Sequence, residues 1–305
     1  MLFPRRILAR INQLDPVRDH QEIVRLSGCF EFPFDNTRAL EFALFRTYAV
    51  ASIGGLLDAT KEFERRTQKR YDDTDLLISE FVENGYESER GRAAIRRMNQ
   101  IHGRYRISNE DMLYVLSTFI FEPERWNRRF GWRPFTENER QAGYLFWREV
   151  GRRMGIRGIP DHAAELERFN LEYERAHFRR NAASRRVGDS TRDLFVGWFV
   201  LRPLRPLAYP FVYALMDRPL LDAFGYPPQP AWLCRLAEAG MRFRGWLAGL
   251  LPDRRQPRLR TLRKSASYPE GYQIGQLGAA EPSDLPAEWR RLANPPTEPS
   301  SNGGG

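Results

Sequence analysis

Apolar residues recur every three to four positions along most of the first 180 residues, as in Leu40, Ala43, Leu44 and Tyr48. This spacing places apolar groups on one face of an α-helix. We predict a succession of helices from Asp15 to about residue 181, because no run of alternating apolar and polar residues with glycine-rich turns competes with the pattern. The predicted fold class is all-α.

Capping residues predict where several of these helices begin. Asp15-Pro16 is typical of a helix start, and residues 136–139 (TENE) form a capping box. A long apolar pattern runs from Thr60 to a stop at Gly85. The predicted starts are Asp15, Thr60, Ser88, Ser108, Thr136 and Asp161.

The composition changes after residue 181. Residues 202–230 are rich in proline and aromatic side chains, which predicts short helices and loops. Residues 231–250 form an amphipathic helix, which either docks on the core or lies in a membrane interface. From residue 252 the chain is basic and then rich in Pro, Ser and Gly, so we predict disorder to residue 305. The predicted organisation is a lead over 1–14, a helical domain over 15–251 and a tail over 252–305.

The chain carries a net charge of +9, and nearly all of its cations are arginines. Acidic residues are interspersed with them, so we predict no nucleic-acid partner, although positive charge alone would permit one. The run from Arg254 to Lys264 is interpreted as a solvated tail, with attraction to a membrane surface as the alternative.

Nothing at the N-terminus resembles a signal peptide, and the apolar stretches at 194–201 and 206–216 fall short of the ~20 residues that span a bilayer. Two cysteines far apart favour a reducing compartment. We therefore expect an intracellular, cytoplasmic protein, with peripheral membrane contact through residues 194–250 as a further expectation. The oligomeric state stays open.

The usual catalytic motifs are missing from the sequence. The sequence has no P-loop, no glycine-rich dinucleotide turn, no nucleophile elbow and no His-Glu-x-x-His motif. Its four histidines are too scattered to suggest a metal site with several protein ligands. A haem needs a single axial ligand, so the composition is compatible with haem.

Two local features could carry chemistry. Arg70 and Thr74 stand four residues apart and share a helix face with Leu77 and Phe81, so they could position an anionic oxygen species. The alternative is a surface turn with salt bridges to the neighbouring aspartates. His102 ends a predicted helix beside Gly103, where a histidine is often structural because it interacts favourably with the helix dipole.

Six stretches together resemble the MpaB oxygenases, a family that shares its catalytic domain with the rubber-cleaving latex clearing protein. The resemblance runs from about residue 15 to 180. It is carried by residues 15–20 (DPVRDH), 32–35 (FPFD), 38–46 (RALEFALFR), 68–74 (QKRYDDT), 91–102 (GRAAIRRMNQIH) and 130–134 (FGWRP).

This resemblance implies a globin-like helical core that holds haem b and an O2-dependent cleavage of an isoprenoid C=C bond. It implies that His102 is the axial metal ligand, that Arg70 supports the cofactor, and that Arg70 and Thr74 take part in catalysis. The implied partners are O2 and a lipophilic small molecule. The chain departs from the rubber oxygenases twice, with Asp73 where they carry a lysine and Gly54 where they carry a glutamate base. Because of the missing base, the alternative is a non-catalytic helical protein of the same fold that binds lipid or membrane.

Overall fold

The computed structural model describes residues 3–279. This part of the chain forms fourteen α-helices and contains no strand, so the predicted all-α class is confirmed. The helices are α1 (Arg6–Gln13), α2 (His20–Leu26), α3 (Pro33–Thr47), α4 (Ala51–Thr60), α5 (Glu62–Arg65), α6 (Thr67–Asn84), α7 (Glu89–His102), α8 (Asn109–Phe130), α9 (Glu137–Arg153), α10 (Ala163–His177), α11 (Ala182–Gly197), α12 (Arg205–Ala214), α13 (Arg218–Phe224) and α14 (Ala231–Leu250).

Several predicted helix ends are confirmed by their hydrogen bonds. The hydroxyls of Ser88 and Ser108 accept from the backbone N–H three residues later, which caps α7 and α8. Thr136 and Glu139 form the complete capping box of α9. Gly85 follows α6 with φ of 82°, a conformation that favours glycine and ends the helix.

Three predicted starts are wrong. Asp15 closes a turn by accepting from the N–H groups of Val17 and Arg18, and α1 precedes it within the supposed lead. The long pattern from Thr60 is broken at Lys61, whose φ of 57° lies in the left-handed region, so α4, α5 and α6 are separate helices. Asp161 lies two residues before the start of α10.

The core forms mainly around α8, the longest helix. On one side α6, α7 and α9 contribute a cluster that includes Phe81, Phe146 and Trp147. On the other side α3, α10 and α13 contribute a second cluster around Tyr114, Leu220 and Phe224. These two clusters leave a cavity between the helices.

Helix α14 docks on the core through a narrow strip. Leu233 and Gly245 are its buried residues, and a Cβ at Gly245 would lie 2.4 Å from the carbonyl oxygen of Phe130. Arg244 also pairs with Asp35. Most other apolar side chains of α14 face solvent. Within residues 3–279, no helix combines the length and apolar character needed to cross a membrane.

Residues 258–279, which we call the strap, lie against α6 and α7. Arg260 pairs with Asp75, and Leu277 is fully buried. The prediction of a disordered tail from residue 252 is therefore wrong for the strap. It failed because the partners of the strap are far away in sequence, as for Arg260 and Asp75, which are 185 residues apart. The remainder of the predicted tail, from residue 280 onward, lies outside the described residues.

Candidate functional site

A cavity of about 240 Å³ lies between α4, α6, α7, α8 and α9. Apolar side chains form most of its wall, among them Leu77, Phe81, Val115 and Trp147. The three residues singled out from the sequence, Arg70, Thr74 and His102, all line this cavity.

Arg70 and Thr74 lie on the predicted face of α6. The Arg70 guanidinium donates through Nη1 to the Thr74 hydroxyl, and that hydroxyl donates to the Arg70 carbonyl oxygen at 3.0 Å. Thr74 therefore holds the guanidinium against the helix, in the cavity wall. Because Leu77 and Phe81 continue this face and also line the cavity, the predicted apolar stripe is confirmed.

His102 is the last residue of α7 and is largely buried. Burial, helped by the positive charge of Arg70, lowers the pKa of His102 to about 4, so the imidazole is neutral at physiological pH. Its Nδ1 atom is buried without a hydrogen-bond partner among the described residues. A buried polar atom without a partner is unfavourable, and a neutral imidazole is the form that binds a metal.

This donor set fits a haem. A single neutral histidine supplies an axial ligand, and the apolar walls suit a large hydrophobic ring. Arg106 also lines the cavity and is exposed, which suits the carboxylate groups that haem b carries. The residues present are therefore compatible with the cofactor that the sequence resemblance implies.

A second cavity of about 100 Å³ adjoins the first. The two share wall residues, including Tyr48, Arg70 and Thr74. The second cavity is more polar because Glu41 and Asp75 line it.

Glu41 is a buried carboxyl in the second cavity. Tyr71 donates to its Oε1 at 2.5 Å and Arg38 donates to the same atom at 2.7 Å. Burial raises the pKa of Glu41 to about 7, although Arg38 and the Tyr71 hydrogen bond oppose this rise. Glu41 can therefore gain or lose a proton near neutral pH. Sequence reasoning missed this residue because nothing in its local pattern indicates burial beside Tyr71.

Comparison with known proteins bears on this site. Residues 43–249, more than half of the chain, match the family model described as "ER-bound oxygenase mpaB/B'/Rubber oxygenase, catalytic domain". The chain belongs to this family. The protein is accordingly an oxidoreductase of the oxygenase type, and the family resemblance read from the sequence is confirmed.

Three curated relatives are similar to the chain at about the same level. The "ER-bound oxygenase mpaB" of Penicillium roqueforti is 30% identical over 243 residues, which cover 73% of this chain and 80% of that protein. The mpaB' and mpaB oxygenases of Penicillium brevicompactum are each 31% identical over 221 residues. The chain spans about half the length of these last two relatives, 52% and 56%.

The structure explains both departures from the rubber-oxygenase pattern within this family. At Gly54 a Cβ would lie 2.4 Å from the Ser184 hydroxyl oxygen and 2.5 Å from the Tyr48 carbonyl oxygen. No glutamate fits there, because α4 and α11 approach too closely. Asp73 does not line the His102 cavity and accepts hydrogen bonds from Lys69 and Tyr268.

Proposed function

We propose that this protein is a haem-dependent oxygenase that cleaves a C=C bond of a prenyl, isoprenoid or similar lipophilic substrate with O2. The observation that carries the proposal is the position of His102. Its neutral, largely buried imidazole lies in an apolar cavity together with Arg70 and Thr74. Membership of an oxygenase family supports the same reaction class.

The residues of the cavity have separate tasks in this proposal. Haem b, when bound, supplies the iron centre that reacts with O2. His102 would hold the haem iron, and Arg70 would offer N–H donors that can stabilise negative charge developing on oxygen. Thr74 keeps Arg70 in place through their mutual hydrogen bonds. The apolar wall excludes water and accommodates the hydrocarbon part of the substrate.

The test is haem binding by purified protein. Wild-type protein titrated with haemin is expected to develop a sharp Soret band, and His102→Ala is expected to lose or shift it because the axial ligand is gone. His162→Ala is the matched control, since His162 is exposed and does not line the His102 cavity. A wild-type protein that takes up no haem would overturn the proposal.

The alternative function, a non-catalytic lipid- or membrane-binding protein, is separated by a second measurement. Haem-loaded protein is incubated with O2 and prenylated alkenes, and carbonyl products are sought by mass spectrometry. Carbonyl products that disappear in Arg70→Met support the oxygenase. Stable haem binding without products from any alkene would favour the alternative.

We also propose that this oxygenase is intracellular and contacts a membrane peripherally through residues 194–250. Large apolar side chains in this stretch are exposed, including Phe199, Leu207, Trp232 and Trp246. Exposed arginines, such as Arg202 and Arg235, lie in the same stretch. Exposed apolar patches flanked by cations are typical of surfaces that bind anionic bilayers. The relatives are named ER-bound.

Vesicle sedimentation tests this contact. Wild-type protein is expected to pellet with vesicles that contain anionic phosphatidylserine. Trp232→Ser/Trp246→Ser is expected to bind roughly tenfold or more weakly, because the variant lacks two exposed indoles that would otherwise enter the bilayer. Val17→Ser/Leu262→Ser is the control, because these side chains are exposed outside residues 194–250. Equal binding by both double variants would exclude this surface.

A further inference from the structure

The strap, residues 258–279, covers carboxylates of α6. The Ser267 N–H donates to Asp72 at 3.0 Å, and the Tyr272 hydroxyl donates to Glu80 at 2.5 Å. Tyr268 donates to Asp73 in the same way. Asp72, Asp73 and Glu80 are buried, although a row of acidic residues on one helix would normally face solvent. The strap thus supplies part of the donors that make their burial tolerable, beside donors from α6 and α7 such as Lys69 and Arg90.

Charge complementarity holds the first part of the strap in place. Arg260 donates through Nε to both carboxylate oxygens of Asp75 at 2.7 Å. The backbone N–H of Arg260 and the Thr261 hydroxyl both donate to Glu83, at 2.5 and 2.6 Å. Hydrogen bonds to charged groups are among the stronger ones in proteins. The segment is therefore anchored along α6 before it reaches the cavity.

The last described residues of the strap form part of the wall of the His102 cavity. Gly278 and Ala279 both line that cavity. Arg97 donates to the Leu277 carbonyl oxygen at 2.8 Å and Lys69 reaches the Gly278 carbonyl oxygen at 3.4 Å. Gly278 has φ of 109°, and a Cβ there would lie 2.2 Å from Cδ1 of Ile101. Only glycine allows the strap to lie this close to α7 beside His102.

The strap lies outside the part of the chain that matches the oxygenase family model, residues 43–249. The matched helices supply His102, Arg70 and Thr74, whereas the strap adds the wall at Gly278 and Ala279. Asp73 stands where the rubber oxygenases carry a lysine. It accepts hydrogen bonds from Tyr268 of the strap and from Lys69, which also reaches the Gly278 carbonyl oxygen. The chain therefore uses one of its departures from the rubber oxygenases to hold this wall.

We propose that the strap determines specificity, because its end at residues 277–279 closes the His102 cavity and limits the length of the hydrocarbon that fits. The inference rests on the proposed function only in that a lipophilic molecule occupies this cavity. The strap acts through shape. Each methylene group that the wall excludes from the cavity lowers the affinity about fourfold. Moving the wall inward or outward shifts the longest chain that the protein accepts.

A series of n-alkanols from octanol to hexadecanol tests this wall, with binding to haem-free, full-length protein followed by displacement of an environment-sensitive fluorescent dye. Wild-type affinity is expected to rise with chain length and then level off or fall. Ala279→Phe brings the wall inward, so affinity for the longest accepted alkanol should fall roughly tenfold or more. Ala266→Phe is the matched control, because Ala266 is an exposed residue of the same strap.

A second variant moves the wall in the other direction. Arg97→Met/Tyr268→Phe removes one hydrogen bond to each of Leu277, Asp73 and Gln276, so longer alkanols should bind more tightly than they bind the wild type. Hydrogen exchange over residues 267–279 verifies that the strap has loosened. If exchange increases and the length profile is unchanged, the proposal is wrong. If Ala279→Phe does not fold, Ala279→Leu and Ala266→Leu take the place of the pair.

Two results keep this inference separate from the oxygenase proposal. Protein that binds no haem but shows the expected shifts in preferred alkanol length would support the proposal for the strap and overturn the oxygenase proposal. Protein that binds haem through His102, but whose alkanol affinity changes equally in Ala279→Phe and Ala266→Phe, would overturn only the proposal for the strap. A wild-type protein that binds none of the alkanols would also overturn the proposal for the strap.

Discussion

Helices α6 and α14 have similar lengths, 18 and 20 residues, and opposite surroundings. In α6 the carboxylates Asp72, Asp73, Glu80 and Glu83 are buried. In α14 the large apolar side chains are exposed, with Trp232, Phe243 and Trp246 each more than half accessible. The more polar helix is thus the more deeply enclosed of the two.

The difference shows that burial depends on what covers a helix as well as on its composition. The strap covers the acidic face of α6 and supplies hydrogen-bond donors to it. For α14, the described part of the chain covers little more than the strip around Leu233 and Gly245. We therefore expect charge to matter most for stability around α6, and apolar side chains on α14 to matter mainly for contacts with other surfaces.

The largest effect should come from the buried acid beside α6. The pKa of Glu41 is raised from 4.5 to about 7, so its protonated form stabilises the folded state below pH 4.5 and this contribution is lost as pH rises through 7. Glu41→Gln stays neutral, and its stability relative to wild type should rise by about 3 kcal/mol between pH 4.5 and pH 8.

Urea unfolding at several pH values measures this difference. Glu64→Gln serves as the control because Glu64 is an exposed acid on the neighbouring helix α5. A constant difference between Glu41→Gln and wild type across the pH range would show that Glu41 titrates normally. The charge around α6 would then be less important than the comparison suggests.

A smaller effect is expected when one α6 carboxylate becomes apolar. Glu80 is fully buried and accepts from Arg90 at 2.8 Å, from Tyr272 and from Asn84. Glu80→Leu should lower the free energy of unfolding by about 2 kcal/mol although it makes the helix more hydrophobic, because these donors lose their acceptor. Glu80→Gln, which keeps an acceptor for Tyr272, should lose less. Equal losses in the two variants would contradict this explanation.

The smallest effect is expected on α14. Trp246→Ser removes a large apolar side chain that is 57% exposed, so the free energy of unfolding should change by less than about 0.5 kcal/mol. Thermal unfolding followed by circular dichroism measures it, and Leu233→Ser, at a buried position on the same helix, is the comparison that should destabilise strongly. A large loss from Trp246→Ser would mean that α14 is covered in solution, and the contrast with α6 would disappear.

Much of the candidate site could be predicted from local patterns. Arg70, Thr74, Leu77 and Phe81 share one helix face because of their spacing, and the structure places all four on the His102 cavity. The amino-acid sequences of residues 68–74 and 91–102 indicated the oxygenase family, which the family model confirms. The haem, the axial role of His102 and the substrate stay proposals.

By itself, the sequence determined the helical class, the caps at Ser88, Ser108 and Thr136, and the family. These depend on contacts between residues three or four positions apart, which a single stretch of chain contains. Only the tertiary structure decided that the α6 carboxylates are buried and that Gly278 lines the His102 cavity. Those features depend on pairs such as Asp75 and Arg260, which are 185 residues apart, so no local pattern encodes them.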